Sequence, residues 1–227
     1  MPFFEGLFDD RRDAGRQLAQ ALARYRQDDP VVLALPRGGV PVGFEVAKAL
    51  GAPLDVLIVR KIGAPGHPEL GIGAVIDGGN PHLVLNDDVI RQVRPPAAYI
   101  EEEKHRQLAE IERRRRRYAG DRTAAPVAGR TAIVVDDGIA TGGTVRAALR
   151  GIAGGNPARL VLAVPAAPAD SLAELRLDCD EIVCLATPEP FYAVGAHYRD
   201  FTQTEDEEVI RLLAEARRWS PAGIGSP

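Results

Sequence analysis

Cysteine is scarce. Cys179 and Cys184 are the only two in 227 residues, too few for a disulfide framework, and neither carries a metal-ligand spacing. Cys184 falls in an apolar run and reads as a small core residue. Aromatic residues make up 5%, with one tryptophan, so each aromatic near a site counts. An excess of positive charge is also missing. The formal net charge is −4, from 28 basic and 32 acidic side chains, which makes a nucleic-acid partner a weak expectation. No apolar run approaches the roughly 20 residues needed to cross a bilayer, so no membrane association is expected. The opening Met1-Pro2-Phe3-Phe4-Glu5-Gly6 lacks a basic segment followed by a long apolar one. No secretory signal is therefore expected, and the expected location is the cytoplasm. What is plentiful is ordinary for a globular chain: 45% hydrophobic and 26% charged residues, which excludes disorder for most of the length.

Short apolar runs at 31–35, 54–59, 131–135, 159–164 and 181–185 are bounded by Gly and Pro. Unbroken runs of this kind read as strands buried on both faces, as in a parallel sheet. Helix-like stretches at 9–25, 41–50, 143–153 and 169–177 surround or separate them, with Asp9 and Asp10 as capping candidates for the first. Strand-helix alternation predicts an α/β fold: an open, mainly parallel five-stranded sheet flanked by helices. Two stretches interrupt it. Residues 62–86 are rich in Gly and Pro and predict an extra hairpin from 72–76 and 83–85. Residues 97–118, after Pro95-Pro96, predict a charged helix with a sparse stripe of Ile100, Leu108 and Ile111. Arg113 to Arg117 are consecutive on it; with Glu101, Glu102 and Glu103 upstream, they read as a solvated or oligomer-contacting face. A last helix is expected to open at a capping box of Thr204 and Glu207. Residues 1–219 are read as one domain and 220–227 as a flexible tail.

The most informative stretch is Ile133-Val134-Val135-Asp136-Asp137-Gly138-Ile139-Ala140-Thr141-Gly142-Gly143-Thr144. An apolar strand ends in two carboxylates, a loop of small residues follows, and a helix begins. Free N–H groups of such a loop converge with the helix dipole on one point, which suits a phosphate. Gly142 and Gly143 allow close approach, and Thr141 and Thr144 can add hydroxyl donors. Adjacent aspartates are poor partners for phosphate but suit vicinal hydroxyls or a metal ion. No Gly-Lys-Ser/Thr follows, and no Gly-x-Gly-x-x-Gly opens a helix after the first strand, so Walker and dinucleotide loops are disfavoured.

These twelve positions resemble the phosphoribosyl-pyrophosphate (PRPP) signature of type I phosphoribosyltransferases. The whole chain, including Phe-Tyr-Ala-Val-Gly at 191–195, is similar to a bacterial group within that family. One position departs from the pattern: Gly138 stands where the family usually has an apolar residue. The resemblance implies an Mg²⁺-dependent enzyme that moves the phosphoribosyl group of PRPP to a nitrogen acceptor, a nucleobase first of all, and releases pyrophosphate. It implies a 5-phosphate loop at Ala140, Thr141, Gly142, Gly143 and Thr144. Asp136 and Asp137 would hold the ribose hydroxyls, with Mg²⁺ bound mainly through PRPP and these two as candidate ligands. Arg37-Gly38-Gly39 is similar to the family's pyrophosphate loop, with a cis peptide expected near Arg37-Gly38. Arg60-Lys61 resembles the basic pair after the second strand, for pyrophosphate neutralisation, with Lys61 also a catalytic candidate. Residues 62–73 would form a glycine-hinged mobile lid, where Glu69 is a better candidate than His67. Residues 187–204 would form a hood, in which Phe191 and Tyr192 are candidates for stacking the acceptor; the absence of lysine there disfavours 6-oxopurines. A homo-oligomer, with a dimer as the guess, is expected. The other reading is a non-catalytic sensor of PRPP or a nucleotide.

Overall fold

The computed structural model describes residues 6–77, 82–120 and 123–219. The tail expectation at 220–227 lies outside the described residues. Helix α1 (Arg11–Ala21) opens where the Asp10 carboxylate accepts the Asp13 N–H at 2.7 Å, and a 3-10 turn at Ala23–Gln27 follows it. Strand β1 (Pro30–Ala34) leads to α2 (Gly39–Leu50), then to the short β2 (Leu54–Val56). Next come β3 (Val59–Ala64), β4 (His67–Ile76), β5 (His82–Leu85), α3 (Asp87–Val93) and α4 (Ala97–Ala119). The chain then returns to β6 (Thr131–Val135), α5 (Gly143–Ala153), β7 (Arg159–Ala166), α6 (Ala169–Leu175), β8 (Glu181–Ala186) and α7 (Asp206–Ala216).

Five parallel strands form the main sheet, as the apolar runs predict, and their order is β2-β1-β6-β7-β8. Alternation still operates inside these runs. Val32 and Ile133 face a core completed by Leu18, Phe44 and Leu212, whereas Leu33 and Val134 face Leu149 and Leu172 on the other side. After β1 the chain moves outward to β2, then crosses back to place β6 on the opposite side of β1. The β1–β6 junction is therefore the point where strand order reverses, and loops at the carboxyl ends of such strands splay into a crevice. Ala34 lies in register with Val135, so the loops after β1 and β6 leave side by side.

Several expectations need correction. The run 54–59 is not one strand. The main-sheet pairing ends after three residues, and Val59 starts an antiparallel ladder with Ile76 in a second sheet, β3-β4-β5. Leu57 and Ile58 are fully buried in the crossing, so hydrophobicity runs unbroken through a change of sheet. Residues 62–73, the expected lid, lie mostly in the hairpin of β3 and β4, and the pairing of β4 with β5 bears out the expected hairpin. Helix α7 has no capping box. Its first flanking residue is Glu205, no side chain caps it, and Thr204 is buried instead. On α4, Ile111 is buried but Ile100 and Leu108 only partly so; Glu103, Gln107 and Tyr118 complete the inward face. Arg115 is also turned inward, correcting the solvated reading of the arginine run. Its guanidinium donates to Asp77 at 2.8 Å and to Asp55 at 3.0 Å.

Candidate active site

The loop after β6 carries the acidic pair. Asp136 Oδ1 accepts the Asp137 N–H at 2.9 Å, which folds the turn back on itself. Burial, and then the neighbouring Asp137 carboxylate, push the Asp136 carboxyl well above the usual carboxylate range. Asp137 is held on two sides: Arg11 Nε donates to its Oδ2 at 2.8 Å, and the Tyr198 hydroxyl donates to its carbonyl at 2.5 Å. Burial, reinforced by the Asp137 charge, raises the Tyr198 phenol, so that hydroxyl stays a donor. Gly138, the departure from the family pattern, has φ +157°, and a Cβ there would lie 2.5 Å from a methyl of Val194. The hood thus packs against bare backbone at this turn, and an apolar side chain has no room.

Beyond Gly138 the loop keeps its backbone open. Gly142 takes a left-handed φ of +73° and Gly143 begins α5, so the first N–H groups of an 11-residue helix point into the loop. Ala140, Thr141 and Gly143 are exposed and Thr144 half-buried. The Ala140 carbonyl accepts from Ser171 Oγ at 2.9 Å, which fixes the loop's outer side.

The loop after β1 meets the acidic pair directly. A Cβ on Gly38 would sit 2.0 Å from Asp137 Oδ2, and one on Gly39 would sit 2.8 Å from the Val135 carbonyl. The glycines expected at the pyrophosphate loop are thus also demanded by close packing. The cis peptide is Pro36–Arg37, one bond before the expected position. Arg37 turns toward the start of α7, with Nη1 at 3.4 Å from Glu205 and 4.0 Å from Asp206.

The basic pair on β3 divides. Arg60 Nε donates to the buried Gln107 of α4 at 3.0 Å, so it ties the second sheet to that helix. Lys61 extends toward the phosphate loop; its Nζ lies 3.9 Å from where a Cβ on Gly143 would be. Both lie on a strand of the second sheet, not at the carboxyl end of a main-sheet strand. Lys61, Glu69, Gly143, Arg146 and Arg150 line a cavity of about 250 Å³ between that sheet and α5. His67 is exposed at the hairpin tip.

In the hood, the two aromatic candidates also separate. Phe191 packs on the His197 ring, centroids 4.7 Å apart, whereas Tyr192 is 80% exposed. Burial pushes the His197 imidazole pKa down, keeping it neutral. Phe201, in contrast, stacks under the Arg11 guanidinium at 3.8 Å and beside Tyr198. Arg11 and Tyr198 escaped the sequence reading. Arg11 sits in an unremarkable Asp-Asp-Arg-Arg start to a helix, and Tyr198 was visible only as one aromatic of the hood.

Among the described residues, no three His, Cys, Asp or Glu side chains are grouped to hold a metal ion. The acidic pair offers at most two carboxylates. That donor set fits Mg²⁺, which accepts one or two protein carboxylates when a phosphate ligand supplies further oxygens.

Known proteins are similar to this chain. Two Mycobacterium tuberculosis proteins, from two strains and named provisionally as phosphoribosyl transferases, are 53% identical over 212 residues, 93% of this chain. The chain spans about half the length of these curated relatives, 47%. A Thermus thermophilus protein of known crystal structure is 45% identical, with a TM-score of 0.81, covering 94% of this chain and 99% of that one. The family model of the phosphoribosyl transferase domain matches residues 8–198, and it is to this family that the chain belongs.

Proposed function

We propose that the chain transfers the 5-phosphoribosyl group of PRPP to a nitrogen acceptor, with a nucleobase as the first candidate, and releases pyrophosphate. The observation that carries this reading is the packing of two anion-suited loops on one acidic pair, with Gly38 directly against Asp137. One ligand with a phosphate at each end and a diol between would touch all three parts.

In this reading the free N–H groups of residues 140–144 hold the 5-phosphate, and Lys61 adds charge to the same group. That remote binding energy fixes the position of the reacting carbon. Asp137 accepts hydrogen bonds from the ribose hydroxyls and favours the positive charge that develops on the sugar as the bond to pyrophosphate breaks. Asp136 or Asp137 would hold Mg²⁺ together with the diphosphate, and the ion would supply charge neutralisation for the leaving group. Backbone groups of residues 37–39 receive the diphosphate. Tyr192, exposed in the hood, is the better of the two aromatics for stacking an acceptor.

The test is pyrophosphate release from PRPP with Mg²⁺ across purine and pyrimidine bases and simple amines. Acceptor-dependent release is expected. Asp137→Asn keeps the shape of the side chain but removes its charge; turnover should fall about 100-fold or more, while loss of the Arg11 ion pair lowers the melting temperature without unfolding the protein. Wild-type turnover in that variant would sink the assignment.

A further inference from the structure

Helix α4 presents arginines that the transfer reading leaves unused. Arg115, anchored between Asp55 and Asp77, fixes the rotation of the helix about its axis. That rotation brings Arg113, Arg114 and Arg117, spaced four and three residues apart, onto one face. They meet Arg37 from the loop after β1. These four guanidiniums, with Tyr118 and Asp206, line a cavity of about 290 Å³.

We infer that this cavity is a binding site for a small polyphosphate anion, distinct from the phosphate loop but sharing Arg37 with the loop after β1. Three observations carry it. The cavity is walled by four permanently charged groups from two separate elements, and guanidinium forks match phosphate oxygens bidentately. The arginines share carboxylates instead of pairing one to one: Arg113 and Arg114 both donate to Glu110, at 2.8 to 2.9 Å. Together they hold that carboxyl down at about 2. Arg37 and Arg117 likewise converge on Asp206, with Glu205 and Glu207 only at 3.4 and 3.5 Å. Finally, all four arginines are between one-third and two-thirds exposed, and such pairs exchange readily for a stronger anion. Asp206 also lines the cavity, held by the Tyr118 hydroxyl at 2.7 Å, and an entering anion competes with it for Arg117. The Arg37 guanidinium already lines this cavity, while in the transfer reading above it is the backbone of residues 37–39 that receives the diphosphate, so the site stands on binding alone.

Binding is measured by calorimetry with inorganic tripolyphosphate, without Mg²⁺, on the full chain. Parent and Lys61→Met proteins should bind alike, which separates this site from the phosphate loop that Lys61 approaches. The Arg113→Ala/Arg114→Ala double variant should lose about tenfold or more in affinity. Glu110→Gln releases both arginines and should bind about threefold tighter, a gain that misfolding cannot produce. Unchanged affinity in the double variant, or no gain in Glu110→Gln, overturns the site. A single-stranded RNA oligonucleotide is run beside it. If RNA binding depends on Arg113 and Arg114 while tripolyphosphate binding does not, the small-anion assignment fails. Because binding is read without turnover, absence of phosphoribosyl transfer would sink the earlier reading and leave this one standing.

Discussion

Gly38 shows how one residue can be required for a reason its conformation conceals. Its φ of −60° and ψ of −34° are ordinary helical values that alanine adopts freely. What stands against a side chain is the Asp137 carboxylate, 2.0 Å from where a Cβ would sit, which Arg11 holds in place. Gly38→Ala should therefore cost about 1–3 kcal/mol of stability, as overpacking does. It should displace the Asp137 carboxylate and weaken PRPP binding about tenfold or more, because misplacement near 1 Å is costly in a positioned site. A thermal melt beside a PRPP titration checks both halves; full affinity would mean that Asp137 moves aside at no cost. At this scale the sequence reading was strongest where chemistry is unusual. Two adjacent aspartates ending an apolar strand before Thr-Gly-Gly-Thr announce themselves. Arg11 does not, because nothing local marks which arginine of a charged helix will cross more than a hundred residues to meet a carboxylate. The same limit applies to Gly138, whose need for a bare Cα arises from Val194 in a distant segment.

At the scale of elements, α4 is where local reasoning falls short. A run of five arginines reads as solvated, yet the fold buries the middle one between two carboxylates. Asp55 on β2 and Asp77 after β4 belong to different sheets, so Arg115 is the group that joins both to the helix. Asp55 is further fixed by the Ala125 N–H at 2.8 Å. Arg115→Met would leave two buried carboxylates facing each other and should cost about 3 kcal/mol or more. Adding Asp55→Asn and Asp77→Asn should recover part of that loss in a denaturant titration, an outcome that a purely steric role for Arg115 does not produce. The same helix is joined to α7 by the Tyr118–Asp206 bond, and burial followed by that bond pushes the Tyr118 phenol up to about 12. The unfolded phenol titrates near 10, so the unfolded chain loses its proton first. This contribution is complete below about pH 10 and declines as pH rises through about 12. Tyr118→Phe should flatten the alkaline fall in stability over that window; an identical fall in both proteins would locate the cause elsewhere. The broken run at 54–59 has the same origin as Arg115. Periodicity reports that residues are buried, not which sheet buries them.

For the molecule as a whole, the two ends of the matched region close on the site. Phe8 and Tyr198 form a parallel bridge, and the N–H groups of Arg199 and Asp200 donate to the carbonyls of Phe8 and Asp9, each at 2.9 Å. Arg11 then reaches Asp137, the Thr202 carbonyl and the face of Phe201 at once. The segment ahead of β1 and the hood after β8 therefore act on the acidic pair through one guanidinium and one phenol. The five parallel strands were legible because parallel strands need continuous apolar runs; their order was not. This closure was not, because it consists of pairings between residues nearly two hundred positions apart. It has a measurable consequence if the site holds the ribose of PRPP. A ligand that engages Asp137 must renegotiate its contact with Arg11, and Arg11 is held by the hood. Hydrogen exchange at the Arg199 and Asp200 amides should then change on adding PRPP with Mg²⁺, together with the amides of residues 140–144. Lys61→Met should weaken PRPP binding without altering the hood's response once the ligand is at saturation, because Lys61 approaches the phosphate loop and not the Arg11 contact. Protection confined to residues 140–144, with Arg199 and Asp200 exchanging as before, would mean that the hood and the acidic pair are neighbours without being coupled.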